Sequence, residues 1–360
     1  MKSNFCFSLF VPHETGSFAE QMASVEQQIR TWMKTEMLEL SGLLQSRVYL
    51  SDAANQWESV RQATLYTQLL SAGAVSYIEQ PLLNGSKIAV QLWCVKGTTV
   101  TKQGNPSCMK MDFDGVSFLF QSVRFAAETV ESLDANAQTQ LAFRQHCTTL
   151  DELGWTLERN CQRTWLYVRD IDRHYAGVVQ GRNAVFAAEG LTAETHYIAS
   201  TGIEGYTDNR SAVVAVDFFS VDGLSREDVQ YLHALDYLNP THEYGVAFER
   251  GTRLQLPTAQ LSFISGTASI DKHGECLHRG DVLTQTGRLF LNIEQLLKDG
   301  GAQLSDVAYM IVYLRDVADY AAVDRYLSLR FPHTPYLITS ARVCRPEWLI
   351  EVECIAQQPR

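Results

Sequence analysis

Apolar residues recur at helical spacing along three stretches of this chain: Ala19 to Leu40, Asn136 to Arg159, and Thr284 to Gly300. In the last, Leu289, Ile293, Leu296 and Leu297 fall on one face. Each stretch leads into a five-residue block of one pattern, VYLSD at Val48 to Asp52, LYVRD at Leu166 to Asp170 and VYLRD at Val312 to Asp316. β-Branched and aromatic residues in such a run predict a strand. A second helical run follows each block, at Gln56 to Leu70, His174 to Ala188 and Tyr320 to Phe331. Alternating strands come next and close on IAVQLWCV (Ile88 to Val95), AVVAVDFF (Ala212 to Phe219) and LIEVECIA (Leu349 to Ala356). The predicted order is helix, strand, helix, strand, strand, used three times, with helices on one face of a sheet in each unit.

Units of about 100 residues exceed the roughly 20 to 50 of a solenoid period, so the pattern predicts tandem α+β units at 1–100, 107–222 and 240–360. Two polar stretches read as joints: Lys96 to Pro106, and Asp222 to Pro240 with a short helix ending near Asn239-Pro240. The second and third units have room for an opening hairpin, at Met109 to Arg124 and Arg253 to Ile270. The first has only Asn4 to Val11 in that place and is expected to be truncated, serving packing, with function in the other two.

Composition narrows the class. A chain of 360 residues with 46% hydrophobic and 20% charged positions exceeds the about 250 to 300 residues of a single core and is not of a disordered type. No run approaches the about 18 apolar residues of a membrane span, and MKSNFCFSLFVPHE alternates like a strand without a small-residue cleavage site. The expectation is a cytoplasmic protein. With 41 acidic against 30 basic residues and no Lys/Arg cluster, a nucleic-acid partner is not indicated. An acidic chain that takes an anionic small molecule must gather a few arginines in a cleft, where the guanidinium fork matches a carboxylate. The eight cysteines form no C-x-x-C pair and the nine histidines no ligand spacing, so neither metal nor organic cofactor is expected.

The third unit carries LSFISGTASIDKHGECLHRGD (Leu261 to Asp281), VYLRD, and SARVCRPEWLIEVECIA (Ser340 to Ala356). The I-S-G segment, the V-Y-L-R-D strand and the closing E-V-E-x-I-A strand resemble the YjgF/RidA family, whose fold is chorismate mutase-like and whose trimers hold ligands between subunits. The longer F-I-S-G-T-A-S-I string with His273, His278 and Gly280-Asp281 is similar to the chorismatase branch of that family. RTWLYVRDID (Arg163 to Asp172) and RHYAGVVQGRNAVF (Arg173 to Phe186) resemble two further chorismatase segments, R-x-W-N-Y and R-Y-x-x-F-N-x-G-R-x-x-A-F. Leu166 replaces the pattern's Asn, Gly177-Val178-Val179 replaces Q-F-N, and Tyr244 to Arg250 match Y-G-x-x-x-P-x-F-x-R in part.

The resemblance implies an intrachain pseudo-trimer, by itself or weakly associated, acting on chorismate. Chorismate carries two carboxylates and an enolpyruvyl ether. Cleavage needs a proton at the terminal methylene, and a buried carboxylic acid suits that donor. Glu351 and Glu353 share one face of the last strand. The first matches the acid implied for chorismatases, with Glu353 supporting it, although an E-x-E pair also fits the solvent side of an edge strand. Cys344 stands where the resemblance separates hydrolases from enzymes that make a hydroxybenzoate. Beside an arginine its thiol pKa is expected to fall, pointing to 3-hydroxybenzoate, while a buried structural cysteine is the alternative. Carboxylate binding is assigned to Arg163, Arg182, Arg250, Arg342 and Arg345, with Arg163 and Arg342 foremost, although lone arginines are mostly surface residues. Ser265 and Gly266 are expected to form a turn whose backbone N–H groups meet an anion. His273 and His278 read as structural. Two other functions stay open, a RidA-like enamine or imine deaminase and a catalytically silent ligand-binding module.

Overall fold

The computed structural model describes residues 4–13 and 15–360, and only the backbone of Tyr244. Met1 to Ser3 and Glu14 of the N-terminal segment lie outside the described residues. The first stretch of chain forms β1 (Phe5–Phe10), α1 (Phe18–Thr35), β2 (Leu43–Leu50), α2 (Ala53–Gln62), β3 (Ala74–Glu79) and β4 (Ile88–Val95), a four-stranded sheet in the order β1-β4-β2-β3. The second forms β5 (Thr101–Asn105), β6 (Cys108–Phe113), β7 (Val116–Val123), the single turn α3 (Ala127–Val130), α4 (Ala135–Glu152), α5 (Leu157–Asn160), β8 (Cys161–Val168), α6 (Ile171–Ala188), β9 (Ala199–Glu204) and β10 (Val214–Asp222), ordered β5-β6-β7-β10-β8-β9. The third forms β11 (Val229–Tyr231), β12 (Gly251–Gln255), β13 (Ala259–Thr267), α7 (Val282–Asp299), β14 (Val307–Leu314), α8 (Tyr320–Arg330), β15 (Tyr336–Ser340) and β16 (Ile350–Pro359), ordered β11-β12-β13-β16-β14-β15. The first sheet lacks the two opening strands of the others and is the truncated copy.

The expected joints differ from the structure. Residues 101–105 pair with β6 as an edge strand. Residues 229–231 pair with β12, so the stretch expected to be a helix ending near Asn239-Pro240 holds a strand, with one helical turn before it at Arg226–Asp228 and another after Pro240 at Thr241–Tyr244. Side-chain pairing explains the first: Lys102 reaches back to the carbonyls of Leu43 and Ala72, tying the strand to the first sheet. Helix α6 begins at Ile171, ahead of His174, and packs closely on α4 because Gly177 and Gly181 carry no side chain. A Cβ on Gly181 would sit 2.5 Å from the Asn136 carbonyl.

Register makes the repeats superimposable position by position. Val48 faces Val90, Leu166 faces Val216 and Val312 faces Val352. Tyr49, Tyr167 and Tyr313 are therefore equivalent, as are Ala89, Ala215 and Glu351, and Gln91, Asp217 and Glu353. The sheets also close on one another through one bond used three times. Glu79 N–H donates to Tyr206 O (2.8 Å), Glu204 N–H to Arg342 O (3.0 Å) and Ser340 N–H to Pro81 O (2.8 Å). First to second, second to third and third to first, this is a closed pseudo-trimer within one chain. Its inner faces meet around Trp93, whose ring lies 5.4 to 5.8 Å from those of Phe7, Phe120, Phe219 and Phe263.

Candidate active site

Between the second and third sheets lies a cavity of about 420 Å³, within the range typical of small-molecule sites, about 300 to 1,000 Å³. One wall is α6 with Tyr175, Ala176, Val179, Gln180 and Arg182, and β9 adds Ser200 and Gly202. The loop before β12 supplies Phe248 and Arg250, and the loop between β15 and β16 supplies Cys344, Arg345 and Trp348. Glu351 of β16 reaches in from the third sheet and is otherwise buried.

The position of Glu351 depends on an irregularity in its neighbour. β13 pairs with β16 in register until Ile264 and slips before Thr267, and Gly266 sits in that bulge. A Cβ on Gly266 would lie 2.0 Å from Glu351 Oε1, so the missing side chain makes the space for the carboxyl. Ser265 and Gly266 are thus strand residues, where a turn was expected. Their N–H groups are taken, by Arg250 O at 3.0 Å and by Thr201 Oγ1 at 2.9 Å, leaving none aimed at an anion. The Ser265 hydroxyl donates to Glu249 O and accepts the Ser200 N–H, stitching β9 to the third sheet.

Burial, reinforced by the Glu353 carboxylate and opposed by Arg163 and Arg250, raises the Glu351 pKa to about 8. The acid therefore holds its proton at neutral pH. Glu353 is not its hydrogen-bonding partner. It accepts from Arg163 Nη2 at 2.8 Å and Trp165 Nε1 at 2.9 Å, one layer behind the cavity. Arg163, almost wholly buried, also donates to Thr201 Oγ1. The structure therefore puts Arg163 behind the wall, joined to it through Thr201 and the Gly266 N–H. Arg342 lies outside, half-exposed, near Glu204 (3.8 Å) and Asp172 (3.9 Å). The arginines that do line the cavity are Arg182, Arg250 and Arg345. Arg250 bonds the Asn239 carbonyl at 3.1 Å, and Arg345 bonds Gly274 O while its guanidinium lies 4.8 Å from the Trp348 ring.

Cys344 opens on the cavity, but its thiol is pushed up to about 12, by burial first and the nearby Glu351 second. The expected lowering by an adjacent arginine does not occur, because Arg345 turns to Gly274 and Trp348 and contributes less than desolvation. Tyr175, hydrogen-bonded to the thiol, stays protonated as well. Tyr175 and Trp348 also line the cavity, and both stand inside the sequence motifs, in RHYAG and CRPEW, without being legible there as site residues. An aromatic residue there reads equally well as core, and only the fold shows which side it faces. Of the motif departures, Val179 lines the cavity, whereas Leu166 lies in the core beneath α4 and α6 and touches no part of it.

Comparison with known proteins places this geometry in a family. A family model described as Endoribonuclease L-PSP matches residues 252–358. The chain is 31% identical over 102 residues to the 3-aminoacrylate deaminase RutC of Acinetobacter baylyi, covering 78% of that protein and 27% of this chain. It is 34% identical over 96 residues to a RutC family protein of Pyrococcus abyssi, covering 76% of it and 26% of this chain. A crystallised chorismatase superimposes with a TM-score of 0.69 over 98% of both chains at 17% identity, a likeness of the whole three-sheet fold. The sequence match in the third unit settles the ancestry: this chain belongs to the YjgF/RidA family, whose unit it uses in a fold shared with a chorismatase.

Proposed function

We propose that the protein is a chorismatase-like enzyme that cleaves or rearranges the enolpyruvyl ether of chorismate and releases pyruvate. The observation that carries this reading is the buried Glu351 carboxyl, with its pKa raised to about 8, in a cavity walled by Arg182, Arg250 and Arg345. Cationic walls suit a dicarboxylate, and a neutral acid can deliver a proton to the ether's terminal methylene carbon. Protonation leaves an oxocarbenium-like centre. Water captures it in the hydrolytic route, giving pyruvate and a cyclohexadiene diol. In the rearranging route the ring loses the same three-carbon unit without net water and becomes 3-hydroxybenzoate. The wall position of Cys344 favours the second product, with the residue acting as a neutral thiol.

Purified protein incubated with chorismate tests both levels. Pyruvate release that falls by about two to four orders of magnitude in Glu351→Gln supports the reading, and no pyruvate from the wild type ends it. Hydroxybenzoate lost in Cys344→Ala while pyruvate persists supports the role of Cys344. Pyruvate without hydroxybenzoate from the wild type removes that role. The identity with a 3-aminoacrylate deaminase over the third unit favours a second reading, hydrolysis of an enamine. Ammonia released from 3-aminoacrylate generated in situ, with chorismate untouched, would establish it.

A further inference from the structure

The cleft between the first and second sheets is the same construction as the cavity just described. Counting five residues from the aspartate that ends each block places Trp57 on α2 where Tyr175 stands on α6, and nine places Arg61 where Val179 stands. Strand register places Val75 and Tyr77 of β3 where Ser200 and Gly202 stand on β9. Asp208, four residues past Glu204, takes the place of Cys344, four past Ser340. The side chains repeat the contact between helix and strand as well. The Tyr175 ring lies over Gly202, a Cβ on which would come 3.1 Å from it, and Trp57 stacks on Tyr77 with centroids 3.9 Å apart. The bond to the following loop changes its donor: Tyr175 of the helix is hydrogen-bonded to Cys344, whereas Tyr77 of the strand, and not Trp57, donates to Asp208.

This cleft is broad, about 780 Å³, and Trp57, Arg61, Tyr66, Tyr77, Arg124 and Arg210 contribute to its lining. Each of the two clefts has three arginines, yet none of the cleft's three stands at a position equivalent to Arg182, Arg250 or Arg345. Cationic character is thus present in both clefts on different scaffolding. The cleft's arginines are partly satisfied. Arg61 lies 3.3 Å from Glu58, Arg210 3.1 Å from Glu79, and Arg124 2.9 Å from Asp217. Arg61 is about half-exposed beside an exposed Glu58, so its guanidinium can turn to a ligand at little cost, while the half-exposed Arg210 keeps its two bonds to Glu79 and adds its charge. The position of Glu351 is filled by Ala215, and the carboxylate in this cleft's lining, Asp208, stands instead at the position of Cys344, where it accepts from Tyr77.

We propose that this cleft is a second binding site, for a planar aromatic carboxylate, which it holds against Trp57 and Tyr66 by Arg61 and Arg210 without turning it over. Binding stands on this cleft alone, and the absence of turnover rests on the role proposed for Glu351. Benzoate is the probe. Calorimetric titration of the full chain should show two sites, of which Arg61→Ala/Arg210→Ala removes one, weakening it by about tenfold or more. Val179→Trp, which fills the first cavity, should remove the other. Because Val179→Trp alters a packed helix, a readout within the cleft is added: benzoate should quench a fluorescence component that Trp57→Phe abolishes. A single site, no binding, or two sites indifferent to Arg61→Ala/Arg210→Ala each overturn the proposal. Two benzoate sites in a protein that leaves chorismate untouched would reject the role of Glu351 and leave this site standing.

Discussion

Glu351 owes its protonation to where its backbone runs. β16 is a central strand of the third sheet, so desolvation acts on the carboxyl from both sides, and Glu353 two residues on adds a like charge. A donor that must be protonated should hold its rate constant level on the acid side and lose it as pH rises through about 8. A pH profile of kcat checks this, and a rate that rises across that pH would assign Glu351 the part of a base. Stability follows the same proton with a definite sign. The folded pKa lies above the ordinary 4.5, so the folded state holds a proton the unfolded chain has released. Its contribution is complete below about 4.5, is lost as pH climbs toward about 8, and should vanish from the pH dependence of urea midpoints in Glu351→Gln. Gly266 gives the geometric counterpart. Its φ is not in the left-handed range, so alanine is acceptable to the backbone and objectionable chiefly to the carboxyl 2.0 Å away, with Thr201 Cγ2 next at 3.0 Å. Gly266→Ala should fold, with unchanged circular dichroism, and lose about a hundredfold in kcat because a displacement near 1 Å costs that much.

At the scale of elements, α6 carries one cavity wall, and its placement rests on Gly177 and Gly181, one turn apart against α4. Alanine would ordinarily gain about 0.5 to 1 kcal/mol over glycine inside a helix. Here its Cβ would stand 2.5 Å from the Asn136 carbonyl oxygen, a backbone atom that cannot swing aside. Overpacking of this kind costs about 1 to 3 kcal/mol, so Gly181→Ala should be destabilising on balance by about 1 to 2 kcal/mol in urea unfolding. A stabilised variant would show that the helices part freely. The same helix marks how much was legible in the sequence. The repeat, its element order and the missing hairpin of the first unit were open to periodicity, because those depend on residues a few positions apart. Glu351 and Cys344 came from local motifs. Arg163 and Arg342 were mis-sited relative to the cavity because which face of a strand meets which neighbour is decided by packing between units, over more than a hundred residues of sequence. The edge strands β5 and β11 were hidden for a similar reason: both are short, β5 is polar, and only the hairpin beside each makes it a strand.

The whole molecule is a threefold ring whose symmetry is broken at its centre. Tyr49, Tyr167 and Tyr313 are buried at equivalent places, but the matching positions opposite Arg47, Trp165 and Ile311 hold a neutral Gln91, then Asp217, then Glu353. Asp217 answers Arg47 at 3.3 Å and Arg124 at 2.9 Å, and Glu353 answers Arg163 at 2.8 Å, with the Trp165 ring between the two guanidiniums of Arg47 and Arg163 at 4.2 and 4.7 Å. Three identical subunits could not make this arrangement. Fusion allows each unit a different charge, and the charges fix which sheet meets which. A buried pair contributes little net stability once desolvation is counted, but a lone survivor is expensive. Glu353→Gln strands the Arg163 guanidinium and should cost about 3 to 5 kcal/mol in urea unfolding. Glu353→Gln with Arg163→Met removes both charges and should recover most of that loss, so the two substitutions together cost less than their sum by about 2 kcal/mol or more. Strict additivity would mean that the pair does not hold the second and third sheets in register. Burial does most to hold the Glu351 proton and the Glu353 charge adds to it, so in Glu353→Gln the fall of kcat with pH should begin lower than in the wild type.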